Sequence, residues 1–595
     1  MAAIRPDTNL PPFDPQALAD AVTDIAGQSN TLLQSFLEQQ GRGFDPLGLN
    51  KAFLDLTAAL MKNPEKVLQA QLDAWGNYVD LWFNMTQRFL GEDEGDGADA
   101  SAPGNDRRFR SELWQKNPFF DFIKQSYLVA ANTVQSVVAG ADGLDPKTAR
   151  KVEFYTKQYV DALSPSNFIM TNPEVIERTI ETRGQNLLQG LQHFCEDFDA
   201  ESGRLRIRMT DMEAFRLGEN VAVSPGKVVY QNELMQLIQY TPATQQVFRT
   251  PLLIIPPWIN KYYILDLQPK NSLIKWLVEQ GHTVFVISWV NPDESLRDKD
   301  FEDYVFQGPL AALQAIEQAT GEQQVNVIGY CIGGTLLSAT LAYLQKQGKA
   351  PFASATFFVT LIDFSDPGDL GVFVDEEQLT VLEQEMHDKG YHDGKEMALT
   401  FNLLRSNDLI WSFYINNYLM GKEPFPFDLL YWNSDSTRMP ARMHSTYLRK
   451  MYLENSFREP GGFSVGGEAI DISSITTPAY FISTEDDHIA PWKSTYLGAQ
   501  LFAGAVRFVL GKSGHIAGIV NPPAAGKYGY YTNDDLSETA DEWLRDAQEH
   551  SGSWWPDWQA WVEQYAGERV PARVPGEGGL KALEDAPGSY VKMRA

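Results

Sequence analysis

The sequence predicts an α/β fold, a mostly parallel sheet with helices on both faces, preceded by a mostly helical region. Three observations predict it. Beyond about residue 205, short apolar runs alternate with helical stretches, which is the rhythm of βαβ units. One of those runs, VNVIGYCIGG (325–334), passes from strand to helix through glycines that flank a cysteine. Before residue 205, apolar residues recur at spacings of three and four, the helical period.

The chain has 595 residues and a formal net charge of −29, which argues against nucleic acid as its main partner. Its two cysteines, Cys195 and Cys331, make neither a disulfide framework nor a metal-ligand cluster, and point to a reducing compartment. The start, MAAIRPDTNLPPFDP, lacks a secretory signature, and no run approaches a transmembrane segment. The expectation is a cytoplasmic protein able to adhere to an apolar surface.

In order, residues 16–40 and 51–91 read as helices rich in Gln, Leu, Trp and Phe. Such stripes pack on another helix or serve an interface. Residues 92–106, EDEGDGADASAPGND, read as an acidic linker. Helical patterns resume over 107–200, punctuated by Pro165 and Pro173. Cys195 lies in such a segment without a glycine elbow and reads as structural.

The α/β part then runs through PLLIIPP (251–257), a helix around SLIKWLVEQG, HTVFVISW (282–289), a helix around 305–319, VNVIGY, and SATFFVTLID (354–363). A long interruption over about 366–474 lacks strand rhythm and holds the aromatic patch WSFYINNYLMGKEPFPFDLLYW (411–432). Strands return at PAYFISTED (478–486) and VRFVL (506–510). An insertion placed there reads as a cap or lid. Its aromatics would line an apolar tunnel or form the cap's own core. The expected domains are therefore 1–204, helical, and 205–595, α/β with a cap over about 366–474.

The turn at Cys331 has the form of a nucleophile elbow, with Cys where Ser is usual. Glycine two residues to either side lets strand and helix approach closely. The helix N-terminus favours a thiolate and can bind an oxyanion. A thiol nucleophile needs a base, and His515, in the loop VLGKSGHIAG after the last apolar strand, is the candidate among eight histidines. The acid lies in STEDDHIAPW, at Asp486 or Asp487; spacing does not choose between them. His488 next door is a weaker candidate for substrate contact. The order nucleophile, acid, base is that of an α/β-hydrolase fold. The oxyanion donors expected are the N–H of Ile332 and one from Trp258 or Ile259 in the loop after PLLIIPP. One such donor is worth roughly 2.7–4 kcal/mol.

Taken together, PPWINKYYILDLQP (256–269), GYCIGG (329–334), DDHIAPW (486–492), GHIAGIVNPP (514–523) and GSWWP (552–556) resemble the class I polyhydroxyalkanoate synthases. DRRF…W…NPFFDFIKQSYL (106–128) and SPSNFIMTNPE (164–174) extend the resemblance to about residue 106. By position it implies Cys331 as nucleophile, His515 as base and Asp487 as acid. It implies an acyltransferase that polymerises 3-hydroxyacyl-CoA into polyester, with coenzyme A as leaving group and no cofactor. It further implies a homodimer at the granule surface, in contact with the growing polyester chain and with granule-associated proteins.

The chemistry is coherent from the residues up. A Cys thioester exchanges one thioester for another, a nearly balanced step. A hydroxyl acceptor then needs a general base, typically worth about 10²–10⁴ in rate. Either Asp487 orients His515 for both steps, or His515 activates Cys331 while Asp487 assists the hydroxyl. The rival readings are an acyl-CoA thioesterase or polyester hydrolase of the same fold, and a non-enzymatic granule scaffold with a vestigial elbow.

Overall fold

The computed structural model describes residues 49–90, 106–199 and 204–594. The helix expected at 16–40 and nearly all of the acidic linker lie outside them. The chain separates into two compact units. The first takes in the described residues up to Asp211 together with Phe401–Phe425; the second comprises Met212–Thr400 and Pro426–Ala595.

The first unit is helical: α1 Leu49–Lys62, α2 Pro64–Leu90, α3 Pro118–Ala139, α4 Pro146–Ala162, α5 Pro173–Glu181 and α6 Gln185–Asp197. Helices α3, α4 and α5 start for a local reason. Asn117, Asp145 and Asn172 each precede a proline, and each side chain accepts backbone N–H groups of the first turn. Proline suits the first helical position because its missing N–H would have been unpaired there. Tyr78 of α2 donates to Ser126 O of α3 at 2.9 Å. An adjoining face of α2 carries Leu68, Leu72, Trp75, Val79 and Trp82, all exposed. Residues 401–425 join α6: the Tyr418 hydroxyl donates to Asp197 Oδ2 at 2.7 Å, and Asn186 Nδ2 donates to Leu419 O at 2.8 Å.

The second unit is built on an 11-stranded sheet. Its strands are β1 Gly226–Gln231, β2 Met235–Tyr240, β3 Leu252–Ile255, β4 Val284–Trp289, β5 Val325–Tyr330 and β6 Phe352–Phe358. They continue with β7 Ala479–Thr484, β8 Val506–Gly511, β9 Gly529–Thr532, β10 Gln548–Ser551 and β11 Glu584–Asp585. The order across the sheet is β10-β9-β8-β7-β6-β5-β3-β4-β2-β1-β11. The six strands from β4 to β8 run parallel; the flanking strands are antiparallel. Alternation fills both faces. Leu253, Ile255 and Val327 enter one apolar layer, while Leu252, Ile254 and Ile328 enter the other.

This is the α/β-hydrolase sheet, and the apolar runs named from the sequence form its parallel centre. The antiparallel flanks were not anticipated. β2, MQLIQY, is buried throughout despite two glutamines. Gln236 is satisfied by the C-terminal segment, donating to Ser589 Oγ at 2.9 Å and accepting the Tyr590 N–H at 3.1 Å. Its partners lie more than 350 residues away, beyond any local pattern.

The insertion falls between β6 and β7. It divides at Thr400 and Pro426, because 401–425 groups with the helical unit. The aromatic patch divides with it. Trp411, Tyr414 and Tyr418 pack edge to face in the first unit. Tyr431 and Trp432 are buried in the second, where Trp432 Nε1 donates to Lys261 O at 2.7 Å.

Candidate active site

β5 ends at Tyr330, and helix α7 Ile332–Lys346 begins one residue later. Between them Cys331 has φ 53° and ψ −122°, a strained conformation for a side chain with a Cβ. Its N–H donates to Phe358 O at 2.8 Å, and its carbonyl accepts from Gly334 N at 2.8 Å. The glycine requirement is steric. A Cβ on Gly329 would lie 2.5 Å from Gly334 Cα. One on Gly333 would lie 2.2 Å from Ile255 O, at the end of β3. The elbow therefore sits against the loop that follows β3, at the point where strand order reverses between β3 and β5.

Asp487 and His515 meet beside this turn. His515 Nδ1 and Asp487 Oδ2 are 2.7 Å apart, and both residues are buried. Asp487 Oδ1 accepts the N–H groups of Ile489 and Ala490, each at 2.9 Å. Those bonds fix the carboxylate, so it can fix the ring. Asp486, its neighbour, is exposed. Burial opposes a charge on His515, but the Asp487 carboxylate and the adjacent Cys331 outweigh it, pushing the imidazole up to about 10. Tyr330 braces the ring: it stacks at 6.0 Å between centroids and donates its hydroxyl to His515 O at 3.3 Å.

The other expected site residues are placed as follows. Ile332 opens α7, so its N–H is among the unpaired donors of a helix start. The Trp258 side chain belongs to the core, beside Trp289, Phe301 and Tyr304. Ile259 is half-buried, as is His488, whose carbonyl accepts from Asp369 N at 3.3 Å.

Comparison with known proteins adds a family to this geometry. Residues 105–277 match the model of the poly-beta-hydroxybutyrate polymerase (PhaC) N-terminus, and 250–522 match the alpha/beta hydrolase fold. The poly(3-hydroxyalkanoate) polymerase subunit PhaC of Rhizobium meliloti (strain 1021) is 48% identical, over 98% of this chain and 96% of its own. The poly(3-hydroxyalkanoate) polymerase of Methylorubrum extorquens is 49% identical, over 90% and 88%. The chain belongs to the poly(3-hydroxyalkanoate) polymerase family.

In this polymerase the GSWWP motif has a structural task. Trp554 Nε1 donates to Gly518 O and Trp555 Nε1 to Ile519 O, each at 2.9 Å. Both carbonyls lie in the loop that carries His515. Sequence reasoning missed a second group, Tyr447 and Tyr452. Both are buried, their rings are 5.5 Å apart, and burial pushes both phenols up, with a smaller electrostatic contribution from Cys331. Phe364 packs on both, at 6.3 and 5.0 Å. In an α-helix, residues five apart point to different sides. Leu448–Leu453 instead forms a π-helix, whose i→i+5 bonds bring Tyr447 and Tyr452 together. The signal available in sequence was only a pair of tyrosines in an aromatic-rich insertion.

Proposed function

We propose that this chain polymerises 3-hydroxyacyl-CoA thioesters into polyhydroxyalkanoate with release of coenzyme A, through a thioester on Cys331. The observation that carries the reading is a cysteine at the elbow with His515 beside it and Asp487 behind the ring, in a chain of this family. Cys331 Sγ, its proton already resting on His515, attacks the thioester carbonyl. The N–H of Ile332, with one from Trp258 or Ile259, stabilises the oxyanion. The CoA sulfur leaves with the proton from His515. His515 next takes the proton of an acceptor 3-hydroxyl, whose oxygen attacks the Cys331 thioester; the C–O ester bond forms as the C–S bond breaks, and Cys331 leaves as the thiolate paired with protonated His515.

The Asp487–His515 bond supports Asp487 as the residue that orients His515 in both steps. Burial of Phe364, Tyr447 and Tyr452 near Cys331 supports transfer to an alcohol over hydrolysis, because the cover excludes water. The same reading includes a homodimer on the polyester granule in the cytoplasm. The exposed apolar row on α2 suits contact with an apolar surface. His488 belongs to the reading as a substrate contact from the acid loop.

The test is CoA release from 3-hydroxybutyryl-CoA by wild type and Cys331→Ala, with the acyl product recovered. Insoluble polyester, lost in the variant, supports the proposal. Free 3-hydroxybutyrate alone would make the chain a thioesterase. Full activity in Cys331→Ala would remove the nucleophile assignment.

A further inference from the structure

The segment after β6, Val359–Phe373, touches three parts of the second unit. Thr335 Oγ1 of α7 donates to Leu361 O at 2.8 Å, on the elbow side. Ser494 Oγ donates to Asp366 O at 2.7 Å, on the acid-loop side. The third contact is a two-way clasp with the inserted segment. Asn455 Nδ2 donates to Asp363 Oδ1 at 2.9 Å, and Asn455 Oδ1 accepts from Phe364 N at 2.8 Å. Arg458 pairs with Asp363 Oδ2, and Ser365 N donates to Oδ1 at 2.9 Å. Asp363 is 2% exposed, so its carboxylate is sheltered from water, while Arg458 reaches it from the surface.

The clasp sits where the tyrosine pair is set. Asn455 follows the π-helix, has φ 49°, and donates its N–H to Met451 O at 3.0 Å. Phe364, the residue bonded by Asn455, packs on both tyrosine rings. Fixing Asn455 against Asp363 therefore fixes the end of the π-helix and Phe364 in one step.

We infer that Asp363 is a positioning residue: with Asn455 and Arg458 it holds Tyr447, Tyr452 and Phe364, which share one packed apolar cluster with Ile332, the residue next to Cys331, and so sets access to the acyl-cysteine. The inference rests on Cys331 being the nucleophile. Asp363 touches no reacting atom; it acts through the aromatic cover. Without it the fold stands, but the cover is loose.

The experiment compares wild type, Asp363→Asn, Asn455→Asp and the double swap Asp363→Asn/Asn455→Asp. Alkylation of Cys331 by iodoacetamide is followed by peptide mass spectrometry, with the exposed Cys195 as internal control. CoA release from 3-hydroxybutyryl-CoA is measured alongside. Each single variant is expected to alkylate Cys331 several-fold faster at an unchanged Cys195 rate and to lose at least tenfold in kcat with little change in KM. The double swap, which restores one donor facing one acceptor, is expected to recover both. Single variants matching wild type in both readouts would overturn the inference. So would a swap that recovers melting temperature but neither readout, since Asp363 would then be merely structural. A wild type that releases no CoA would defeat the proposed function, while the alkylation rates would still decide the role of Asp363.

Discussion

The α-carbon of Gly333 faces the carbonyl oxygen of Ile255 so closely that an added Cβ would stand 2.2 Å from it. Both atoms in conflict are backbone, and neither can rotate away. Gly333→Ala must push α7 and the loop after β3 apart, and these two segments supply the proposed oxyanion donors. The expected cost is about 1–3 kcal/mol of stability, as for other overpacked sites. A fall in CoA release larger than the fall in folded fraction is expected as well. Thermal melts and initial rates on the same preparation check both.

Stability should depend on pH through His515. The unfolded imidazole titrates near its ordinary value, about 6.5, and the folded one near 10. The group is raised in the fold, so its stabilising contribution is complete below about 6.5 and is lost as pH rises through about 10. Wild type should therefore exceed His515→Gln in urea midpoint most clearly near pH 6, and the gap should close toward pH 10. A gap that widens with pH would mean that His515 is not held as a cation beside Asp487.

Tyr447 and Tyr452 should behave as a unit. Tyr447→Phe or Tyr452→Phe removes one of two buried hydroxyls beside Cys331 and keeps the ring packing. Each is expected to lower kcat by about tenfold, with the double variant little worse, because contacting residues are non-additive. Strictly multiplicative losses in the double-mutant cycle would show that the hydroxyls act separately.

The row on α2 offers a prediction about location rather than chemistry. Trp75 is 70% and Trp82 60% exposed, so Trp75→Glu/Trp82→Glu should change stability by no more than about 0.5 kcal/mol per site. CoA release in solution should persist. The fraction sedimenting with polyester granules should fall, and an unchanged fraction would remove the row from the proposed attachment surface.

How much was legible differs from element to element. The elbow was legible because its constraints are local: a strand, a turn that tolerates only glycine at two flanks, and a helix follow one another in ten residues. The parallel centre of the sheet was legible because strands buried on both faces are apolar throughout. The hairpin β1–β2 and the outer strands β9 to β11 were not: glutamines interrupt the apolar pattern of β2, β9 to β11 have four residues or fewer, and β11 reaches β1 from the far end of the chain.

By itself the sequence determined the strand–cysteine–helix turn, the chain order of Cys331, an acid pair and His515, and the presence of an insertion before β7. These are one-dimensional facts, set by backbone sterics and by which residues can follow one another. Spacing alone left the adjacent acids open and the family resemblance pointed to Asp487; the tertiary structure adds that Asp487 is buried against His515 while Asp486 is exposed. It also decided that the insertion divides at 401–425 and that Tyr447 and Tyr452 meet beside Cys331. Both outcomes follow from long-range packing, and in one case from a change of helical pitch, which local periodicity does not encode.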